Sequence, residues 1–160
     1  YGFNTIGLRY FNVFGPKQNP NNPYAAVIPI FCKAFIEGYS PVINGDGQTS
    51  RDFTFVENVI QMNIKAAFSE IEGATNQVYN TAVGDRTTVL SLFNSLKKNL
   101  DSKLEPEFIP TRQGDVRDSL ADISKAKKYL GYEPAIRIDE GLKITLNWFK
   151  NNQEFIKIRD

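Results

Sequence analysis

Two short runs hold the side chains best suited to chemistry. One is Arg51-Asp52-Phe53, which follows the turn-forming Gly45-Asp-Gly-Gln-Thr-Ser50; the other is Arg112-Gln-Gly-Asp-Val-Arg117. Arginine presents a planar fork of donors that pairs with phosphate oxygens two at a time. A glycine turn just ahead of Arg51 would hold such a fork still. Two arginines this far apart could converge on one diphosphate, but spacing alone does not show it. Spacing alone favours a surface Arg–Asp pair beside a hairpin, and a charged loop. An exposed pair of that kind contributes only about 0–1 kcal/mol. Asn12 is the third candidate. It stands at the carboxyl end of the apolar run that begins at Ile6, and ligands of open α/β sheets bind at that end.

Other chemistries are excluded or disfavoured. There is no histidine and one cysteine in 160 residues, so Ser-His-Asp and Cys-His catalysis and the usual zinc sites cannot be built from this chain. No metal site is expected. No G-x-G-x-x-G or G-x-x-x-x-G-K-[ST] loop occurs. Asp52 and Glu57 have no distinctive spacing as an acid–base pair. Cys32 lies among apolar residues and reads as an inert buried thiol; Trp148 and Phe149 read as core. With 19 basic and 18 acidic residues, bulk charge gives no reason to expect nucleic acid or an anionic membrane as partner. The apolar runs are too short to cross a bilayer and no signal peptide is visible. A lone cysteine fits a reducing cytoplasm.

The elements that must position these residues can be read from periodicity. A chain of this length suits one domain that buries roughly 70% of its unfolded surface. Ile6, Leu8 and Tyr10 fall on one face of a first strand, with Phe11 and Val13 near the other. Apolar groups on both sides predict a strand of a parallel sheet covered on both faces. Nothing precedes that strand to pair with it, which predicts a protein whose first half is missing. Lys17 to Pro23 reads as a loop, Ala26 to Gly38 as a helix, and Pro41 to Gly47 as a short strand closing in a glycine turn. Arg51 to Phe55 reads as extended and Val56 to Phe68 as an amphipathic helix. Gln77 to Thr81 is a strand, and Thr87 or Thr88 caps a helix that runs to Leu100. Phe108-Ile109 is a short strand. Asp122 caps Ile123 to Leu130, which Gly131 and Pro134 stop, and Asp139 caps a last helix bearing Leu142, Leu146 and Phe149.

Four ordered motifs, Leu8-Arg-Tyr-Phe-Asn-Val-Phe-Gly-Pro16, Tyr24-Ala-Ala-Val-Ile-Pro29, Gly45-Asp-Gly-x-x-Ser-Arg-Asp-Phe53 and Gly114-Asp-Val-Arg117, resemble the second half of the NAD-dependent nucleotide-sugar epimerase/dehydratase family. The resemblance covers nearly the whole chain. Asn58-Val-Ile-Gln-Met-Asn-Ile64 and Ala82-Val-Gly-Asp-Arg-Thr-Thr88 look like the UDP-N-acetylglucosamine 4-epimerase branch. The implied fold is the C-terminal part of an extended Rossmann-type α/β protein: one or two strands of the parallel sheet and a small mixed α/β substrate-binding lobe, with residues 1–16 and about 77–100 contributing to the sheet and its covering helix. The implied chemistry is NAD-dependent oxidation at C4 of a UDP-sugar, rotation of the 4-keto sugar, and reduction. Sister activities with the same motifs are nucleotide-sugar 4,6-dehydratases, UDP-glucuronate epimerases and decarboxylases. A non-catalytic nucleotide-sugar binding module is a further alternative.

The resemblance also implies residue roles. Asn12 would bond the diphosphate–sugar region. Arg51 and Arg112 would hold the phosphates, with Arg117 a rival for the second. Asp115 would bind the ribose hydroxyls, Ala26 and Val27 would contact uridine, and Gln18 and Ser119 would face the sugar. Tyr10 and Phe11 would lie beside the nicotinamide. Where relatives restricted to unacetylated sugars carry a tyrosine, Ser119 would leave room for an N-acetyl group; read locally, it is a turn or helix-start serine. The family's dinucleotide loop, catalytic Ser/Thr and Tyr-x-x-x-Lys lie upstream of these motifs. Tyr1 is not that tyrosine, because Thr5 stands four residues on. The fragment is therefore expected to be inactive alone, and the longer protein to form a homodimer through the missing half.

Overall fold

A computed structural model describes residues 2–22 and 25–157. Tyr1, Pro23 and Tyr24, which figure in the sequence reading, lie outside the described residues. The elements are, in chain order, β1 (Ile6–Tyr10), β2 (Val13–Phe14), α1 (Val27–Glu37), β3 (Val42–Asn44), β4 (Ser50–Arg51), β5 (Thr54–Phe55), α2 (Val56–Ala67), β6 (Gln77–Thr81), β7 (Thr87–Thr88), α3 (Val89–Asn99), β8 (Glu107–Ile109), α4 (Ser124–Leu130), α5 (Ile138–Asn151) and α6 (Gln153–Lys157). The strands form two-stranded pairs: β1 with β6, β2 with β5 and β3 with β8 in parallel, and β4 with β7 antiparallel.

Two main cores hold these elements, beside a small cluster of Ala82, Ala121 and Ile123. In the larger, Phe31 and Phe35 of α1, Leu92, Phe93 and Leu96 of α3, and Leu142, Leu146 and Phe149 of α5 meet Phe14 and Phe55. Phe31 and Phe93 meet edge to face at 6.2 Å, and Phe14 and Phe55 at 5.5 Å. Such ring pairs add about 0.5–1.5 kcal/mol beyond the area they bury. In the smaller core, Met62 of α2 and Ala126 and Leu130 of α4 pack on Tyr79 of β6 and against Ile6 and Leu8 of β1. Past the carboxyl end of β1, the chain enters β2, whose Phe14 belongs to the larger core.

The structure corrects several expectations. The first strand does have a partner: all five residues of β1 are in register with β6, from Ile6 opposite Gln77 to Tyr10 opposite Thr81. It is not covered on both faces among the described residues. Ile6 and Leu8 turn to the smaller core, while Arg9 and Val78 are exposed on the other side. It is also shorter than its apolar run, because Asn12 adopts φ 35° and breaks it into β1 and β2. Arg51 to Phe55 is likewise two short strands, interrupted at Asp52-Phe53. Among the described residues, α4 and α2 pack on β6. Asp139 does not cap α5: that helix is entered through Arg137, and the Asp139 carboxylate accepts from Ser95 Oγ of α3 at 2.9 Å. By contrast, Thr88 caps α3, accepting from Ser91 N at 3.0 Å. Asp122 accepts from Ser124 N at 2.8 Å but is not the cap of α4, which starts at Ser124 with Ile123 at its N-cap and no side-chain cap bond; Gly131 ends that helix at φ 58°.

Candidate functional site

The site begins at the break between β1 and β2. Asn and Asp are the side chains best suited to left-handed backbone, because they bond locally. Asn12 is instead held by distant partners: its Nδ2 donates to Asp52 O at 3.1 Å, and its own carbonyl accepts from Thr54 N at 3.2 Å. Those bonds seat the β4–β5 link against the end of β1. The Asp52 side chain is 0% exposed and lies in a ring of backbone donors. Its Oδ1 accepts from Val83 N at 3.0 Å, and its Oδ2 from Gly84 N at 2.9 Å and Ala121 N at 3.4 Å. Burial pushes its pKa up from the usual carboxylate value, and the backbone donors oppose that rise without cancelling it.

Arg51 is fixed from several sides. The stretch following Gly114 runs along β4, where Ser50 N donates to Arg117 O at 2.8 Å and Ser119 N to Ser50 O at 3.1 Å. That stretch carries Asp115 to the arginine. Arg51 Nη2 donates to Asp115 Oδ1 at 2.5 Å, and Nη1 to Ser50 O at 2.8 Å and Arg117 O at 3.3 Å. The fork is thus oriented before any ligand arrives.

Arg51 and Asp115 border a cleft of about 250 Å³, with Asn12 at one side. Ala26, Val27 and Ile28 at the start of α1, Val42, Phe53 and Val89 make its apolar walls, and Asn44 and Thr49 add neutral polar groups. Asn12, Ala26, Val27, Arg51 and Asp115, picked from sequence, therefore share one cavity. The lining from Val42, Asn44, Thr49, Phe53 and Val89 was not anticipated. Its one signal was the short strand ending in the Gly45–Gly47 turn, which aims Asn44 and Thr49 at Arg51.

The other candidates lie outside this lining. Gln18 borders a neighbouring hollow and donates to Val13 O at 3.2 Å, leaving its buried Oε1 unpartnered. Arg112 and Arg117 are exposed, and their guanidinium groups have no partner among the described residues. Ser119 is half-buried beside β4. Tyr10 ends β1 with its hydroxyl donating to Asn63 Oδ1 at 3.0 Å, and Phe11 packs on Ala82, Ala121 and Ile123. Cys32 is fully buried, which pushes its thiol up to about 12 and leaves it inert at neutral pH. No helix among the described residues is long and apolar enough to cross a membrane.

Known proteins share this fold. The chain superposes on a UDP-glucose 4-epimerase of Thermotoga maritima solved with UDP-glucose, with a TM-score of 0.89 and 39% identity over 96% of this chain and 48% of that one. It superposes on a UDP-N-acetylglucosamine 4-epimerase of Methanobrevibacter ruminantium M1, in complex with UDP-N-acetylmuramic acid, with a TM-score of 0.88 and 42% identity over 95% and 48%. A UDP-glucuronate 4-epimerase of Thermodesulfobacterium geofontis is 34% identical over 158 residues, 98% of this chain and 46% of that protein. The chain spans about half the length of the curated relatives it matches. Residues 1–82 match the model of the NAD dependent epimerase/dehydratase family, and the chain belongs to that family.

Proposed function

We propose that this chain is the UDP-sugar-binding half of an NAD-dependent UDP-sugar 4-epimerase that interconverts N-acetylated hexoses, with UDP-glucose as a second substrate. One observation carries the reading: Asn12, Arg51 and Asp115, from three separate segments, converge on a cleft whose other walls are mainly apolar, with Asn44 and Thr49 as neutral polar groups. A nucleoside diphosphate has that same division, with a flat base at one end and paired anionic oxygens at the other. Arg51 would bond the diphosphate with the donors that Asp115 and the two carbonyls leave free. Asp115 would accept from the ribose hydroxyls, and Asn12 would reach the phosphate–sugar junction. The base end has its own logic. Pro41 O and Gly45 N are spent on β8. Alternation along a strand then turns the N–H and C=O of Val42 and Asn44 to the opposite edge, toward the cleft they line. A uracil imide, an N–H beside a carbonyl, complements that edge.

The reaction needs one end of the substrate held and the other free to turn. The chemistry that bound NAD would supply is reversible hydride exchange at C4 of the sugar. The fit of this chain to NAD is partial. The half-exposed Tyr10 ring at the end of β1 offers a wall for a nicotinamide, but no glycine-rich loop for the dinucleotide phosphates occurs in the sequence. The chain's own contribution is therefore grip and orientation. The setting we infer is the cytoplasm, with dimerisation of the longer protein through the half not spanned here.

The reading is tested by thermal shift. UDP at a hundred times its dissociation constant should add about 2.7 kcal/mol to the stability of the chain, and ADP should add nothing. Equal shifts, or no shift with UDP, would end the proposal. The sugar preference is tested at Ser119. In a protein that includes the catalytic half, Ser119→Tyr should suppress turnover of UDP-N-acetylglucosamine and spare UDP-glucose; equal loss on both would remove Ser119 from the sugar site. A second reading, UDP-glucuronate as substrate, draws on the exposed and unpaired Arg112 and Arg117, which could meet a sugar carboxylate. Product analysis with the two sugars decides between them.

A further inference from the structure

The nucleotide grip described above uses Arg51, Asp115 and Asn12, and leaves unexplained the fully buried carboxylate between them. Asp52 has no cationic partner among the described residues. A buried carboxylate without one is costly unless its oxygens are fully hydrogen-bonded. Here the oxygens are satisfied by N–H groups from two segments distant in sequence: Val83 and Gly84 in the loop after β6, and Ala121 beyond the 115–119 stretch. Gly84 sits at φ 74°, where its N–H can turn into this nest. The main chain of Asp52 meanwhile accepts from Asn12 Nδ2.

The connections run on to the cleft. The strand-like stretch that ends on the carboxylate at Ala121 is the one that bonds Ser50 through Arg117 O and Ser119 N. It also supplies both outer restraints on Arg51, Asp115 Oδ1 and Arg117 O. Release at Ala121 would free the stretch at one end, and Arg51 would lose its orientation. The base end of the cleft, at Val42 and Asn44, is held independently by β8.

We propose that Asp52 is a positioning residue: its carboxylate gathers the Val83, Gly84 and Ala121 N–H groups so that Arg51 and Asp115 are set for a diphosphate. It touches no ligand. The role rests on the UDP-binding reading for its ligand and on the hydrogen-bond geometry for its mechanism, and the two can fail separately. The ionisable groups facing this nest are Tyr132, whose hydroxyl donates to Ala82 O at 2.9 Å, and Arg137, which donates to Val83 O at 3.4 Å. Neither bonds the carboxylate itself.

The test compares the wild-type chain with Asp52→Asn and, as a variant that leaves the carboxylate in place, Gly84→Ala. A Cβ at Gly84 would press on Ile123 Cδ1 at 3.2 Å in a left-handed backbone, which shifts the nest from its other side. Affinities for UDP and for uridine are measured by calorimetry, and amide exchange by NMR. The expected result in each folded variant is a loss of about tenfold or more in UDP affinity, with uridine affinity within about twofold of wild type. Ser119 and Ala121 amides should exchange faster, and Leu146 and Phe149 amides in α5 at the wild-type rate. Parallel loss of UDP and uridine, or faster exchange in α5 as well, would reduce Asp52 to general stability and overturn the proposal. So would unchanged exchange at Ser119 and Ala121. A wild-type chain that binds no UDP would overturn the functional reading, and the exchange rates would still decide the role of Asp52.

Discussion

Arg51 shows why the type of cation matters more than its charge. Its fork already makes bonds to Asp115, Ser50 O and Arg117 O, so its remaining donors point in a fixed direction. Lysine carries the same charge but cannot make that set of bonds. Arg51→Lys should therefore weaken UDP binding about ten- to a hundredfold, the worth of one charge-assisted hydrogen bond at about 1.5–3 kcal/mol; a change under about twofold in calorimetry would show that the fork is not used. Asp52 has its own pH signature. Its native pKa is raised, chiefly by burial. Between the unfolded value and that raised value the native state binds more protons than the unfolded state, so stability falls as pH rises through that window and is flat above it. Urea unfolding of wild type against Asp52→Asn should show the wild type gaining relative stability as pH is lowered into the window. A difference independent of pH would mean that the carboxyl titrates normally. Arg51 was legible in the sequence as a fork beside a glycine turn and next to an acidic partner, which the structure supplies as Asp115. Asp52 was not, because nothing in Arg-Asp-Phe announces donors arriving from Val83, Gly84 and Ala121.

At the scale of elements, local rules were read well where the chain itself makes the bond. Thr88 and Gly131 bound their helices as side-chain cap and left-handed stop. Thr88→Ala should cost about 1 kcal/mol and lower the melting temperature by about 2–4 °C. The rules failed where a neighbour competes. Asp139 has the right type for a cap, but Ile136 N is already committed to Asn58 Oδ1, the helix is entered two residues early through Arg137, and the carboxylate turns to Ser95 instead. Gly141 shows the same conflict in energetic form. A glycine inside a helix normally costs about 1 kcal/mol relative to alanine, so Gly141→Ala would seem a gain. Here an added Cβ would sit 2.8 Å from Phe14 Cζ and 2.9 Å from Phe55 Cδ2, rings that are themselves buried. Overpacking of this kind costs about 1–3 kcal/mol. The substitution should lower the melting temperature, and a rise would show that the aromatic pair can step aside.

At the scale of the whole molecule, the part least visible in sequence was pairing across distance. β1 looked unpartnered because its partner, β6, lies some seventy residues on, and no local pattern links Ile6 to Gln77. The cleft was hidden for the same reason: its lining comes from segments spread between Asn12 and Asp115. What pairing leaves over is a surface with a consequence. The β1–β6 pair has two strands and so two outer edges that no other described strand bonds. Beside it, Ile60, Ile64 and Phe68 recur every fourth residue along α2 to its C-cap and are exposed by 51%, 55% and 80%. Unpaired strand edges and a contiguous apolar stripe are both templates for association. The 160-residue chain should therefore self-associate at about 100 μM, within the range where exposed apolar surface drives aggregation. Replacing Ile64 and Phe68 together by lysine should restore a monomer without lowering the melting temperature, since neither side chain belongs to either core. Sedimentation velocity reads both outcomes. A wild-type chain that stays monomeric at that concentration would mean that the stripe is too narrow, or the edges too short, to hold a second copy; a double variant that still associates would move the contact to the strand edges alone.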